Sequence, residues 1–220
     1  MPDVLLTDID GTLVDSNALH AEAWRRTFEH FGIQVGLDEA WRQIGKGGDH
    51  VIPVFVQQAD LERLEKPLKD FRKAIFHRDY MPRIVAFPQA GDLLRRVRRA
   101  GMEIALATSS DQEDLSIYGK LVGMEDLVDA ASSGDDAQNS KPAADIFAAA
   151  LKKMNMRPEQ AIALGDTPWD AQAAGKLGIP VIGLTSGGWK ADELLAAGCR
   201  EVWHDPADLL LHFHESALQR

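Results

Sequence analysis

Val4-Leu5-Leu6-Thr7-Asp8-Ile9-Asp10-Gly11-Thr12 opens the chain with a short apolar run that stops at two carboxylates and a glycine. Val4–Ile9 has the length and composition of a buried strand. Alternate residues of a strand share a face, so Asp8 and Asp10 are placed to address one point at its carboxyl end. That end is where open parallel sheets bind their ligands. Gly11 frees the backbone to turn sharply and present N–H groups. The same pair also fits a plainer role, that of capping a turn.

Further along, the pattern of a short apolar run with a polar end recurs. Glu103–Ala107 is followed by Thr108-Ser109-Ser110, Leu127–Ala131 is a weaker run, Ala161–Leu164 ends in Gly165-Asp166, and Val181–Leu184 closes the series. Helical periodicity lies between them. Gly91–Ala100 carries Leu93, Leu94 and Val97 before Gly101, Pro142–Met154 opens on a proline, and Pro168–Leu177 and Lys190–Ala197 are closed by Gly178 and Gly198. Strands alternating with helices predict an α/β fold, a Rossmann-like parallel sheet covered on both faces.

One stretch breaks the alternation. From Ser16 to about Tyr80 the pattern is helical, with candidates at His20–Phe31, Leu37–Ile44, Val51–Ala59 and Leu61–His77, punctuated by Gly32, Gly36, Gly45, Gly47 and Gly48. The expected organisation is a core of residues 1–14 and 83–220 with a helical cap of residues 15–82. The hinges would lie near Val14 and Pro82–Pro88.

The 220 residues are 45% apolar and 26% charged, which suits a soluble globular chain with a sizeable core. A net charge of −10 opposes binding to nucleic acid or to an anionic membrane. It leaves room for a small phosphorylated substrate, because a local cation reverses the field inside a cleft. The single cysteine, Cys199, allows no intramolecular disulfide and reads as a small packing residue. There is no basic-then-apolar leader and no apolar run near the ~18 residues of a membrane span, so the expectation is a soluble cytoplasmic protein.

Several residues are placed to do chemistry. Asp166 ends its run without a capping role, whereas Asp170 fits a capping box opened by Thr167 as well as an acidic site. Thr108, Ser109 and Ser110 offer hydroxyl and N–H groups for phosphate oxygens, or cap the next helix. Lys141 stands before Pro142, as a phosphate partner or as an ordinary surface lysine. Converging carboxylates repel one another unless a hard cation such as Mg²⁺ joins them. Lys46, in Ile44-Gly45-Lys46-Gly47-Gly48-Asp49-His50, reads as an exposed lysine on a flexible connector. The loop is not a P-loop, because the upstream glycine and downstream Ser/Thr are missing. His20 reads as a half-buried helix residue. His204, His212 and His214 fit no ligand spacing and read as a solvated C-terminal helix. The tryptophans read as core or interface groups, and Arg95, Arg96, Arg98 and Arg99 as a solvated basic face.

Together these residues resemble the haloacid dehalogenase superfamily, in its phosphatase and phosphomutase branch, over nearly the whole chain. Asp8-x-Asp10-Gly11-Thr12, Thr108, Ser140-Lys141-Pro142 and Gly165-Asp166 with Asp170 match its four motifs in order, and Asp10–Asn17 is especially typical. The resemblance implies a Mg²⁺-dependent phosphatase of a small phosphomonoester metabolite. Asp8 would be the nucleophile and Asp10 the acid and base. Thr108, Lys141, Gly11, Thr12 and Ser109 would surround the phosphoryl group. Asp8, the main-chain carbonyl of Asp10, Asp166 and Asp170 would form the metal site. Lys46 and His20 would be substrate contacts from the cap. A β-phosphoglucomutase-like intramolecular transferase shares every core residue, and a non-catalytic binding protein is a further alternative. Dehalogenases do not need the second aspartate, and phosphonate hydrolases replace it with alanine and use a cap lysine, so Asp10 argues against both.

Overall fold

The computed structural model describes residues 2–219 apart from 134, 135, 137 and 138. β1 (Val4–Thr7) is fully buried and pairs in parallel on one edge with β4 (Glu103–Ala107) and on the other with β6 (Ala161–Gly165). β5 (Ala130–Ser132) extends the sheet beyond β4, while β7 (Val181–Leu184) and β8 (Glu201–Trp203) extend it beyond β6. The order is β5-β4-β1-β6-β7-β8, all parallel. The chain leaves the centre in both directions, so a topological switch point falls at β1. Thr7 pairs with both Leu106 and Leu164. The residues after these three strands therefore emerge level with one another.

Alternation along the strands builds two apolar layers. Leu5, Ile104 and Ile162 face α5 (Ala90–Arg99), α6 (Gln112–Val122) and α10 (Pro206–Leu211), through Leu93, Leu94, Leu115 and Leu209. Val4, Leu6 and Ala163 face α7 (Asp145–Met154), α8 (Pro168–Gly175) and α9 (Ala191–Ala197), through Phe147, Leu151, Ala174 and Leu194.

After β1 the chain forms β2 (Val14–Asp15), which pairs antiparallel with β3 (Val85–Ala86). Between these two strands lie α1 (Asn17–His30), α2 (Leu37–Trp41), α3 (Gly48–Phe55) and α4 (Gln58–Ile75), the last continued by a π-helical turn at Phe76–Tyr80. Trp24, Phe28, Ile44, Ile52 and Leu68 form an apolar cluster of their own within this segment.

Local departures from the sequence reading have local causes. β8 is a three-residue, half-buried edge strand whose Glu-Val-Trp composition carries no strand signal. The weak run begins its ladder only at Ala130, after a turn that half-buries Leu127 and Val128. α7 starts at Asp145, so Lys141 and Pro142 belong to the turn before it. Asp111, not Ser109 or Ser110, caps α6, its carboxylate accepting from the Glu113 and Asp114 N–H groups at 3.1 Å each. Among the described residues, no helix is long and apolar enough to cross a membrane.

Candidate active site

The common register of β1, β4 and β6 delivers Asp8, Thr108 and Asp166 to one edge of the sheet. Lys141 reaches the same point from the turn before α7. Its ammonium lies 2.9 Å from Asp8 Oδ1 and 2.7 Å from Asp170 Oδ1, with 1% of the side chain exposed. These contacts are close as charges but miss the angles of a hydrogen bond.

Asp170 does two jobs. Its Oδ2 accepts from the Thr167 N–H at 3.1 Å and hydroxyl at 2.6 Å, and its own N–H donates back to Thr167, which caps α8. Oδ1 is thereby left to Lys141. Asp166 accepts from the Thr12 hydroxyl at 2.8 Å and from Asn17 Nδ2 at 2.7 Å. Gly11 makes this arrangement possible. Its φ is +74°, and a Cβ there would stand 2.3 Å from both Asp166 Oδ2 and Asn17 Nδ2. Thr12, expected at the substrate, is fully buried and does not line the cavity, because the turn at Gly11 aims its hydroxyl at Asp166. Gly11 likewise lies behind the cavity wall. Asn17 is a site residue that sequence reasoning missed.

The Asp10 carboxylate turns to other partners. Oδ1 accepts from Ser16 Oγ at 2.6 Å and lies 2.9 Å from His20 Nε2, and Oδ2 accepts from Ser110 Oγ at 2.6 Å. Arg72 Nη2 is 2.5 Å from His20 Nδ1. A guanidinium only donates, so Nδ1 accepts and the Nε2–H faces Asp10. The His20 ring stacks on Phe76 at 4.1 Å. Arg72 carried no sequence signal, being one cation among several on α4.

These groups surround a cavity of about 240 Å³, lined by Asp8, Asp10, Thr108 and Ser109 from the core and by Lys46 and Arg72 from the helical segment. That volume lies just below the roughly 300–1,000 Å³ of drug-sized ligand pockets and so limits the occupant to a small molecule. Lys46 Nζ bonds Gln43 Oε1 at 2.6 Å and sits 3.9 Å from the centroid of the Trp169 ring.

The electrostatics are divided. Burial pushes the Asp8 carboxyl up to about 7, with Asp170 and Asp10 adding to the rise and Lys141 opposing it. Asp166 is raised well above the carboxylate range by burial, then by Asp170 and Asp8. Burial acts against the charge of Lys141 too, but Asp170 and Asp8 outweigh it and raise its pKa. Burial also pushes Asp10 up, yet His20, Ser110 and Ser16 outweigh it and hold that carboxyl low.

One oxygen from each of Asp8, Asp166 and Asp170 lies within 4.8 Å of the others, and all three residues are buried. With all three carboxylates ionised, the single Lys141 ammonium would leave two negative charges uncompensated. An all-oxygen donor set with that excess fits a hard divalent cation such as Mg²⁺. The Asp10 carboxylate stands outside this trio. A second group, His77, Asp111 and Glu113, lies toward the surface and already has a cation in contact, Lys73, whose ammonium is 2.5 Å from Asp111 and 3.6 Å from Glu113. His204 and His212 pair instead with Asp205 and Asp208, each at 3.1 Å.

Residues 5–184 match the family model for haloacid dehalogenase-like hydrolases. The chain is 28% identical over 197 residues to Protein CbbY of Cereibacter sphaeroides, a match covering 83% of this chain and 84% of that one. It is 26% identical over 181 residues to the phosphorylated carbohydrates phosphatase of Thermotoga maritima, covering 80% and 82%. The crystal structure of a hydrolase from Pseudomonas syringae superposes with a TM-score of 0.85 at 28% identity, over 99% of this chain and 100% of that one. The family match spans the sheet from β1 to β7 together with the helical segment, and it takes in Asp8, Lys141, Asp166 and Asp170. A likeness of that extent, in sequence and in fold, places this chain among the haloacid dehalogenase-like hydrolases.

Proposed function

We propose that this protein hydrolyses a small phosphate monoester through a phosphoryl group carried on Asp8. The observation that carries this reading is the setting of Asp8, a carboxylate buried against Lys141 at 2.9 Å yet lining the 240 Å³ cavity. The names of relatives support the chemistry: one is a phosphatase of phosphorylated carbohydrates.

The phosphoryl group enters beside Asp8, where Thr108 and Ser109 meet its oxygens and Lys141 offsets its charge. Asp8 attacks phosphorus, the bond to the ester oxygen breaks, and the departing oxygen takes a proton from Asp10. Water then attacks the aspartyl-phosphate and gives its proton to Asp10, which restores both carboxyl groups. The hydrogen bonds from His20, Ser110 and Ser16 keep Asp10 ionised at rest. To act as an acid it must take up a proton as the phosphate dianion arrives and raises its pKa. A Mg²⁺ ion held by Asp8, Asp166 and Asp170, with the Asp10 main-chain carbonyl, would supply the charge neutralisation that phosphoryl transfer depends on.

Residues 15–82 act as a cap over this site. Lys46 is its substrate reader. Burial lowers the pKa of Lys46, and among the described residues no carboxylate lies within ion-pair distance of its ammonium. An anionic substituent on the substrate would answer both conditions. His20 serves by holding Asp10 in place.

The test is phosphate release from a panel of small esters, with and without Mg²⁺. Mg²⁺-dependent release without any bisphosphate activator is the expected result. Bisphosphate-dependent conversion of an ester to its positional isomer with no free phosphate would instead identify an intramolecular transferase, and no release from any ester would overturn the hydrolase reading.

A further inference from the structure

Gly47 and Asp49, at the start of α3, both bond Ser140, the residue before Lys141 in the turn that leads to α7. Asp49 Oδ1 accepts from the Ser140 hydroxyl at 2.5 Å, and Asp49 Oδ2 accepts from the Ser140 N–H at 3.1 Å. The Gly47 N–H donates to Ser140 Oγ at 2.9 Å. The hydroxyl is thus engaged as donor and acceptor at once. The approach is so close that a Cβ on Gly47 would stand 2.6 Å from Ser140 Oγ, a space only glycine leaves open. Burial pushes the Asp49 carboxyl up, but its bonds from Ser140 outweigh that and hold it low.

Lys141 follows directly on Ser140. Its ammonium lies between Asp8 and Asp170 by charge attraction, without a well-angled hydrogen bond. Its backbone belongs to neither strand nor helix, because α7 begins only at Asp145. The turn is held within the core by the Ala143 N–H on Ser140 O at 2.9 Å and by Lys176 Nζ on Pro142 O at 2.7 Å, and from the helical segment by the pair of bonds made by Asp49, 91 positions away from Ser140.

We propose that Asp49 is a positioning residue: bound to Ser140, it holds Lys141 against Asp8 while residues 45–49 lie across the cavity, so covering the site and setting its lysine are one event. The kinetic part rests on the hydrolase reading of Asp8; the structural part does not. The effect runs through Lys141 and not through the substrate. It therefore applies equally to every ester, whereas a change at Lys46 acts only on esters that reach it.

Two variants test this. Asp49→Asn turns an NH₂ toward donors that need acceptors, and Ser140→Ala removes the hydroxyl while leaving the backbone bond. The first readout needs no turnover: brief acetylation of the folded protein with acetic anhydride, followed by peptide mass spectrometry. Lys141 should be strongly protected in the wild type and label about tenfold faster in Asp49→Asn, with a smaller gain in Ser140→Ala. Lys66, 82% exposed, serves as the unchanged control. The second readout is kinetic. The kcat for p-nitrophenyl phosphate and for a bulkier ester should fall by the same factor, about tenfold, with little change in KM, and Ser140→Thr should restore it. If Asp49→Asn does not fold, Ser140→Ala carries the decision. Unchanged Lys141 protection in a folded variant would overturn the proposal, even if the melting temperature fell. A wild type that turns over no ester would remove the hydrolase reading alone, because the labelling result would still stand.

Discussion

Removing divalent cations should make this protein less stable as pH rises from about 5 to about 8, and restoring Mg²⁺ should abolish that slope. Asp8, Asp166 and Asp170 share one buried site with a single ammonium. Without a cation, burial and mutual repulsion push Asp8 up to about 7, while Asp166 moves in the same direction. An unfolded aspartate titrates near ~3.9. Between those values the folded protein holds a proton that the unfolded chain has released. The resulting stability is fully present below pH ~4 and is lost as pH rises through about 7. Asp10 has the opposite shift, so its contribution is lost only in stronger acid and adds no slope in this window. A rise of about 3 units would be worth ~4 kcal/mol at 1.36 kcal/mol per unit, and sharing among the coupled carboxylates reduces that to the order of 2–4 kcal/mol. For a chain of this size the difference is roughly 5–15 °C in melting temperature. Thermal unfolding in EDTA and in MgCl₂, at several pH values across the window, reads it directly. A melting temperature in EDTA that is flat or rising with pH would refute the reasoning, as would an identical slope in Mg²⁺.

Other outcomes follow from single residues. Lys46→Met should raise KM several-fold for an ester bearing a second anionic group and leave p-nitrophenyl phosphate unaffected; equal effects on both, or none, would contradict its role as a reader. Gly11→Ala should cost at least about 1 kcal/mol from its φ of +74° and more from the clash with Asp166, lowering both the urea midpoint and the Mg²⁺ affinity. Unchanged affinity measured by calorimetry would count against the described turn. Burial pushes the Cys199 thiol up to about 12, so alkylation near pH ~8 should proceed only as fast as the protein unfolds. Rapid labelling of the folded protein would contradict that burial.

What the sequence reveals and what it hides separate along physical lines. β1, β4, β6 and β7 are legible because buried central strands are uninterrupted apolar runs, while β8 escapes notice because an edge strand needs only one apolar face. Asp8 and Lys141 are legible only in combination, since singly the first fits a turn cap and the second a surface lysine, whereas Asp166 stands out by ending a strand without a capping role. Arg72, Asn17 and Asp49 do not. Each sits on or beside a helix whose periodicity says which face is apolar but not which residue it will meet 52, 149 or 91 positions away. The orientation of Thr12 and the choice of Ser110 over Ser109 as the partner of Asp10 depend on one turn's backbone angles, which composition does not encode.

The proposed function requires Asp8 to accept the phosphoryl group. Acid quenching of the enzyme during turnover of its best ester with Mg²⁺, followed by peptide mass spectrometry, should find a phosphoryl group on the peptide containing Asp8, with none on Asp8→Asn and no turnover by that variant. A phosphoryl group on any other residue, or sustained hydrolysis by Asp8→Asn, would contradict it.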